Sequence, residues 1–139
     1  MGDKFEFTDQ YLVGIKQIDR EHRKLFQIVG IIQDALAQGG AEAVAAARVA
    51  VGELLDYTRT HFASEEALMA SYAYPELDAH RQLHADLLGQ VLDMEMRVEI
   101  EGETAALELS RFLGLWLSKH IQQTDKRFGA FVAESEGAA

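Results

Sequence analysis

His61-Phe62-Ala63-Ser64-Glu65 and its echo, His80-Arg81-Gln82-Leu83-His84, each set two metal-capable side chains four residues apart. Four residues of α-helix make about one turn, so both members of a pair point the same way. The chain has five histidines: His22, His61, His80, His84 and His120. If the surrounding segments are helices, every one of them can fall on an inward face.

The periodicity outward from these pairs supports helices. Ile18, His22, Leu25, Phe26, Val29, Ile32 and Leu36 recur at helical spacing, with Asp19 as the expected N-cap and Gly39-Gly40 as the stop. A second helix is expected from about Ala41 to Tyr72, with Val51, Leu54, Leu55, Thr58, His61, Phe62, Glu65, Leu68 and Met69 on its inner stripe. Pro75 marks the following turn. A third helix from about Glu76 carries His80, His84, Leu87, Val91 and Val98, and Gly102 closes it. A fourth from about Glu103 carries Leu107, Ser110, Leu113, Trp116, Leu117 and His120 inward. The reading is an all-α, up-down-up-down four-helix bundle forming one domain over residues 1–139. Residues 1–17 are an aromatic arm with Phe5, Phe7 and Tyr11, residues 18–133 the bundle with a short C-terminal helical segment, and residues 134–139 a flexible tail.

Composition narrows the function. A chain of 139 residues can bury a real core. With 13 basic and 23 acidic residues the net charge is −10, which argues against nucleic acid and anionic membranes as partners. There is no cysteine, hence no disulfide, thiolate site or thiol nucleophile. The first residues lack the apolar core of a signal peptide, and no apolar run approaches the roughly 20 residues that span a bilayer. A soluble, cytoplasmic protein is expected.

A lone histidine on an apolar helix face is usually a hydrogen-bonded core residue. Five on the inner stripes of four helices would cost a few kcal/mol apiece in desolvation unless something compensates, and a metal does. Glu65 follows His61 by one turn. Asp125 follows His120 by five residues, about 140° round an ideal helix, so the helix must break or tighten just after His120 for both to face one site. Five imidazoles and two carboxylates exceed what one tetrahedral zinc takes. They suit two octahedral ions joined by both carboxylates and a single-oxygen bridge. The ion with three histidines is then filled, and the ion with two keeps a vacancy. Nitrogen and carboxylate donors suit iron, and a vacancy beside a second redox-active ion suits O2. Two Fe(II) with a hydroxide bridge and two Fe(III) with an oxide bridge and a hydroperoxide carry the same net charge beside two carboxylates. O2 uptake would therefore add no buried charge.

The set Ile18-Asp19-x-x-His22, His61-Phe62-x-x-Glu65-Glu66, His80-x-x-x-His84 and His120-Ile121-x-x-x-Asp125 resembles hemerythrin, specifically its bacterial branch, over essentially the whole chain. The resemblance implies two non-haem irons per chain, oxo- or hydroxo-bridged, that bind O2 reversibly as hydroperoxide for storage, delivery or buffering. It implies that His80, His84 and His120 hold the saturated iron, that His22 and His61 hold the iron that takes O2, and that Glu65 and Asp125 bridge. It also implies that Trp116 and Leu117, one turn before His120, shield the bound ligand. Bacterial members commonly carry a tryptophan in the arm where this chain has Phe7.

Several neighbours are read more plainly. Glu66 is a solvated or salt-bridged residue about 100° round the helix from Glu65, Asp19 a helix cap, and Met69 and Met94 core; Tyr57, Tyr72 and Tyr74 stay unplaced. No acid–base pair or substrate pocket is evident, so the expectation is a binder rather than an enzyme, with O2 as its ligand and a redox or O2-consuming protein as a possible partner. The competing readings are an O2 or redox sensor, a di-iron enzyme with peroxidase, ferroxidase or nitric-oxide reductase activity, and a bundle whose histidines are structural.

Overall fold

The computed structural model describes residues 6–137; the expected role of Phe5 in the arm lies outside them. The elements run in order as a 3-10 turn (Asp9–Tyr11), α1 (Lys16–Ala37), α2 (Gly40–Ser71), α3 (Leu77–Glu101), α4 (Glu103–His120), a π-helical turn (Ile121–Asp125) and α5 (Lys126–Gly137). No strand occurs among the described residues. Helix α1 packs on α2 and α4, and α3 packs on α4 and α2, which closes a four-helix bundle. Its core runs along the expected stripes: Ile18, Phe26, Val29 and Ile32 of α1, Val51, Leu54 and Leu55 of α2, Leu87, Val91 and Val98 of α3, and Leu109, Leu113 and Leu117 of α4. Leu107, expected inside, is exposed, and Ala106 and Leu109 take the inner positions.

Connections are short. Gly102 alone joins α3 to α4 with φ +73°, a left-handed conformation in which only glycine avoids a Cβ clash. The arm lies over α1 and the far end of α4. Phe7 meets Phe26 edge-on at 5.4 Å, Tyr11 packs on Phe26 at 4.7 Å, and the Tyr11 hydroxyl lies 3.2 Å from Ser118 Oγ. Arg23 sits over the Phe7 ring at 5.0 Å, so the smaller aromatic still anchors the arm.

Three boundaries differ from the sequence reading. Helix α1 begins at Lys16, with Ile15 as its N-cap, so Asp19 lies inside the first turn. Its carboxylate reaches back to accept the amides of Val13 (2.7 Å) and Gly14 (3.2 Å), fastening the arm instead of capping the helix. Helix α5 continues to Gly137, so residues 134–137 of the expected tail are helical, and residues 138–139 lie outside the described residues; Tyr72, the C-cap of α2, donates to Glu136 at 2.8 Å. The irregularity after His120 is present, but the helix widens to a π turn where a break or tightening was expected.

Candidate metal centre

Four helices and the π turn deliver seven polar side chains to one point in the core. His22 comes from α1, His61 and Glu65 from α2, His80 and His84 from α3, His120 from the last residue of α4, and Asp125 from the end of the π turn. All seven are buried, the most exposed being His120 at 6%. A π turn pairs each amide with the carbonyl five residues earlier and so turns less per residue, which narrows the roughly 140° that an α-helix puts between residues five apart. That is how His120 and Asp125 come to face the same site.

The carboxylates divide the histidines into two groups. Glu65 Oε2 lies 3.6 Å from His22 Nε2 and 3.3 Å from His61 Nε2. Its other oxygen, Oε1, lies 2.6 Å from His80 Nε2 and 3.4 Å from His84 Nε2. Asp125 repeats the pattern, with Oδ2 3.0 Å from His22 Nε2 and Oδ1 3.2 Å from His80 Nε2 and 3.1 Å from His120 Nε2. Glu65 therefore turns one oxygen to His22 and His61 and the other to His80 and His84, while Asp125 turns one oxygen to His22 and the other to His80 and His120. Within each of two sets, His22–His61–Glu65 and Glu65–His80–His84–His120, the donor atoms lie within 4.8 Å of one another.

These donors are poorly satisfied by each other. His22 Nε2, His84 Nε2, His120 Nε2, Glu65 Oε2 and both oxygens of Asp125 are buried and make no hydrogen bond, although opposite partners stand close. Unsatisfied buried polar atoms are rare and costly in native proteins. Two donors each about 2.1 Å from one octahedral ion stand about 3.0 Å apart, which is the spacing several of these atoms show. The residues present fit a pair of shared cations.

The electrostatics agree. Burial works against ionisation of Glu65, but His22, His61, His80 and His84 outweigh it and hold its carboxyl well below the usual range. Burial and the charge of Glu65 likewise work against Asp125, and His120 and His22 pull it below the usual carboxylate range. Burial disfavours charge on His61, yet Glu21, Glu65 and Asp125 push it up to about 9. His80 is raised to about 9 by Asp125 and Glu65 against its burial, and His22 is raised by the same two carboxylates. The cluster holds anionic oxygens that call for positive charge, and protons supply it where a metal does not.

Two further carboxylates orient the rings, and neither was recognised in this role from sequence. Glu21 Oε1 lies 2.7 Å from His61 Nδ1, while Glu21 Oε2 accepts from Gln17 (3.2 Å) and Ser64 (3.1 Å). Glu66 Oε2 lies 2.8 Å from His84 Nδ1, and its other oxygen faces Arg81 at 3.4 Å. Glu66 is thus salt-bridged, as expected, but it also grips His84. Each contact turns Nε2 of its histidine inward. The available signal was adjacency, since Glu21 precedes His22 and Glu66 follows Glu65.

Aromatic rings close the site. Phe62 stacks on His84 at 3.6 Å and 3°, and Trp116 stacks on His120 at 4.3 Å and 13°. Trp116 and Leu117 line a small cavity of about 30 Å³ together with Leu25, Thr58, Phe62 and Leu87. Its other walls are Val29, Leu54 and Leu113, and no charged group borders it.

Residues 13–132 match the family described as hemerythrin HHE cation binding domain. The chain is 36% identical over 119 residues to the bacteriohemerythrin of Pseudomonas paraeruginosa, covering 86% of this chain and 75% of that protein. It is 30% identical over 111 residues to the bacteriohemerythrin of Methylococcus capsulatus, covering 80% and 82%. The myohemerythrin of Theromyzon tessulatum is similar at 25% identity over 126 residues, covering 91% and 92%. No helix among the described residues is long and apolar enough to cross a membrane.

Proposed function

The chain belongs to the hemerythrin family, and from that premise we propose that it is a non-haem di-iron protein that binds O2 reversibly, for storage, delivery or buffering. Glu65 and Asp125 would be shared by the two irons, with His22 and His61 holding one and His80, His84 and His120 the other. The observation that carries this reading is the set of unpaired buried atoms on His22, His84, His120, Glu65 and Asp125, spaced as donors around shared cations.

Bound iron supplies the one-electron steps that let O2 be taken up and released. The protein's own part is positioning and exclusion. Glu21 and Glu66 hold the Nδ1 protons of His61 and His84, which commits each Nε2 to the metal. Trp116, Leu117, Leu25 and Leu87 present hydrocarbon to the cavity beside the site, so water and protons have few polar partners there. A binder needs a dry pocket of that kind, whereas an enzyme acting on O2 or peroxide needs a proton donor in it. Thr58 supplies the only hydroxyl on that lining.

Anaerobic loading with ferrous iron followed by metal analysis tests the ligand set. Two irons per chain are expected, and fewer than two in both Asp125→Ala and His61→Ala. Less than one iron in the parent protein, or full loading in both variants, would overturn the assignment.

A further inference from the structure

Charge is distributed unevenly along this acidic chain. Between Glu108 and Glu134 it carries four basic residues, Arg111, Lys119, Lys126 and Arg127, and a single acid, Asp125, which is 1% exposed. The rest of the chain has 22 acidic and 9 basic residues. The solvent-accessible charges along the second half of α4, the π turn and the first residues of α5 are therefore all basic, a cationic island on a protein of net charge −10. At its far end Arg127 faces Glu76 at 3.5 Å, but Lys119 is exposed and has no ion-pair partner among the described residues.

An opening of about 260 Å³ lies within this island, lined by Leu83, Trp116, Lys119, His120, Gln123 and Thr124. A second opening of about 120 Å³ shares Leu83 and Thr124, reaches His80, and carries Glu76 beside Arg127 at its edge. Leu83 is 42% exposed, an apolar contact point beside the lysine. Trp116 is half-buried, borders both this opening and the apolar cavity, and stacks on His120. A body seated in the opening meets Trp116 and, on the same lining, His120 of the centre.

We propose that this face docks an acidic one-electron carrier protein, which re-reduces the oxidised centre through Trp116 and His120. The proposal rests on the di-iron reading above. Each delivery oxidises one carrier by one electron and takes one Fe(III) to Fe(II). Two deliveries, with one proton from water taken up as the oxide bridge becomes hydroxide, return the diferrous state. The choice of partner follows from charge. Among the described residues two stretches expose mainly basic charge, the first half of α1 with Lys16, Arg20, Arg23 and Lys24, and this one. Only this one carries an opening lined by Trp116 and His120, so an acidic protein repelled by the acidic surface elsewhere meets the centre here, where Leu83 and Trp116 add apolar and aromatic contact.

The test uses iron-loaded, diferric protein and a reduced plant-type [2Fe–2S] ferredoxin, with Lys119→Glu and Gln123→Glu as surface variants. The loss of the diferric bands is followed by stopped flow. At low salt the bimolecular rate should fall on the order of tenfold in Lys119→Glu, and salt should slow the parent protein. Reduction by the cationic radical of methyl viologen should not slow in either variant. Titration of oxidised ferredoxin into the diferric protein, where no electron can move, should shift amide signals around Leu83, Lys119 and Gln123, with weaker binding in Lys119→Glu. Unchanged ferredoxin rates in both variants, or rates indifferent to salt, would overturn the proposal. A parent protein that forms no diferric bands would end the di-iron reading and this one together, at a step before any ferredoxin is added.

Discussion

The carboxylate of Glu21 on α1 stands 2.7 Å from Nδ1 of His61 on α2, a pairing across 40 residues of sequence. It couples the packing of two helices to the orientation of a single imidazole. Replacing Glu21 with Gln keeps the shape but weakens the acceptor. Ferrous iron affinity should fall by about 10- to 100-fold, measured by competition with a chelator. Glu66→Gln should act in the same direction through His84, and less strongly, because Glu66 is partly exposed and shared with Arg81. Unaltered affinity in Glu21→Gln would mean that His61 is held by helix packing alone.

Leu117 is 6% exposed and lines the cavity beside Trp116. Leu117→Ala should speed autoxidation of the oxygenated protein by admitting water. It should also cost about 2–5 kcal/mol of stability, as buried leucine truncations do. Leu109→Ala, at a position 2% exposed and two helical turns earlier on α4, separates the two effects. It should lose similar stability and leave autoxidation unchanged. Equal acceleration in both variants would point to general loosening of the bundle and away from shielding.

Gly129 on α5 lies against the arm. A Cβ there would come within 2.7 Å of Val13 Cγ1 and closer still to the Val13 carbonyl oxygen. Gly129→Ala should push the arm away, disturb the contacts of Asp19 with Val13 and Gly14, and destabilise the fold by about 1–3 kcal/mol in urea denaturation. Iron stoichiometry should stay at the parent value, because none of the seven clustered side chains belongs to the arm.

Iron uptake should release protons. Without metal, His61 and His80 are raised to about 9, above the ordinary value of 6.5. Raised values stabilise the metal-free fold fully below about 6.5, and that contribution is lost as pH rises through about 9. Iron competes with the same protons, so at pH 7.5 loading should release about two protons per chain from these two rings. Apparent ferrous affinity should climb with pH and level off near 9. Loading without proton release, followed with an indicator dye in weak buffer, would contradict the ion-pairing seen around Glu65 and Asp125.

The bundle and the seven clustered residues were legible in the sequence for a simple reason. Helical periodicity is local, and His61 with Glu65 or His80 with His84 declares its face within one turn. The irregularity after His120 was legible by contradiction, since an ideal helix could not aim both His120 and Asp125 at one site. Its π form was not, because the residues between them carry no signal that separates widening from breaking. Glu21 and Glu66 were missed as orienting groups because their partners lie 40 and 18 residues away, and those meetings depend on how helices rotate against each other. Asp19 misled for the opposite reason. Its residue type suits an N-cap, but Ile15 takes that place and the side chain ties down the arm.

Reversible O2 binding at two irons is put to the test by cycling the gas. The protein is loaded anaerobically with ferrous iron, exposed to air, and then returned to vacuum while the visible spectrum is recorded with the iron count. Two irons per chain are expected, with a visible band that rises in air, vanishes under vacuum and returns over several cycles. A band that forms once and does not reverse, or two irons that oxidise at once with no such band, would contradict it.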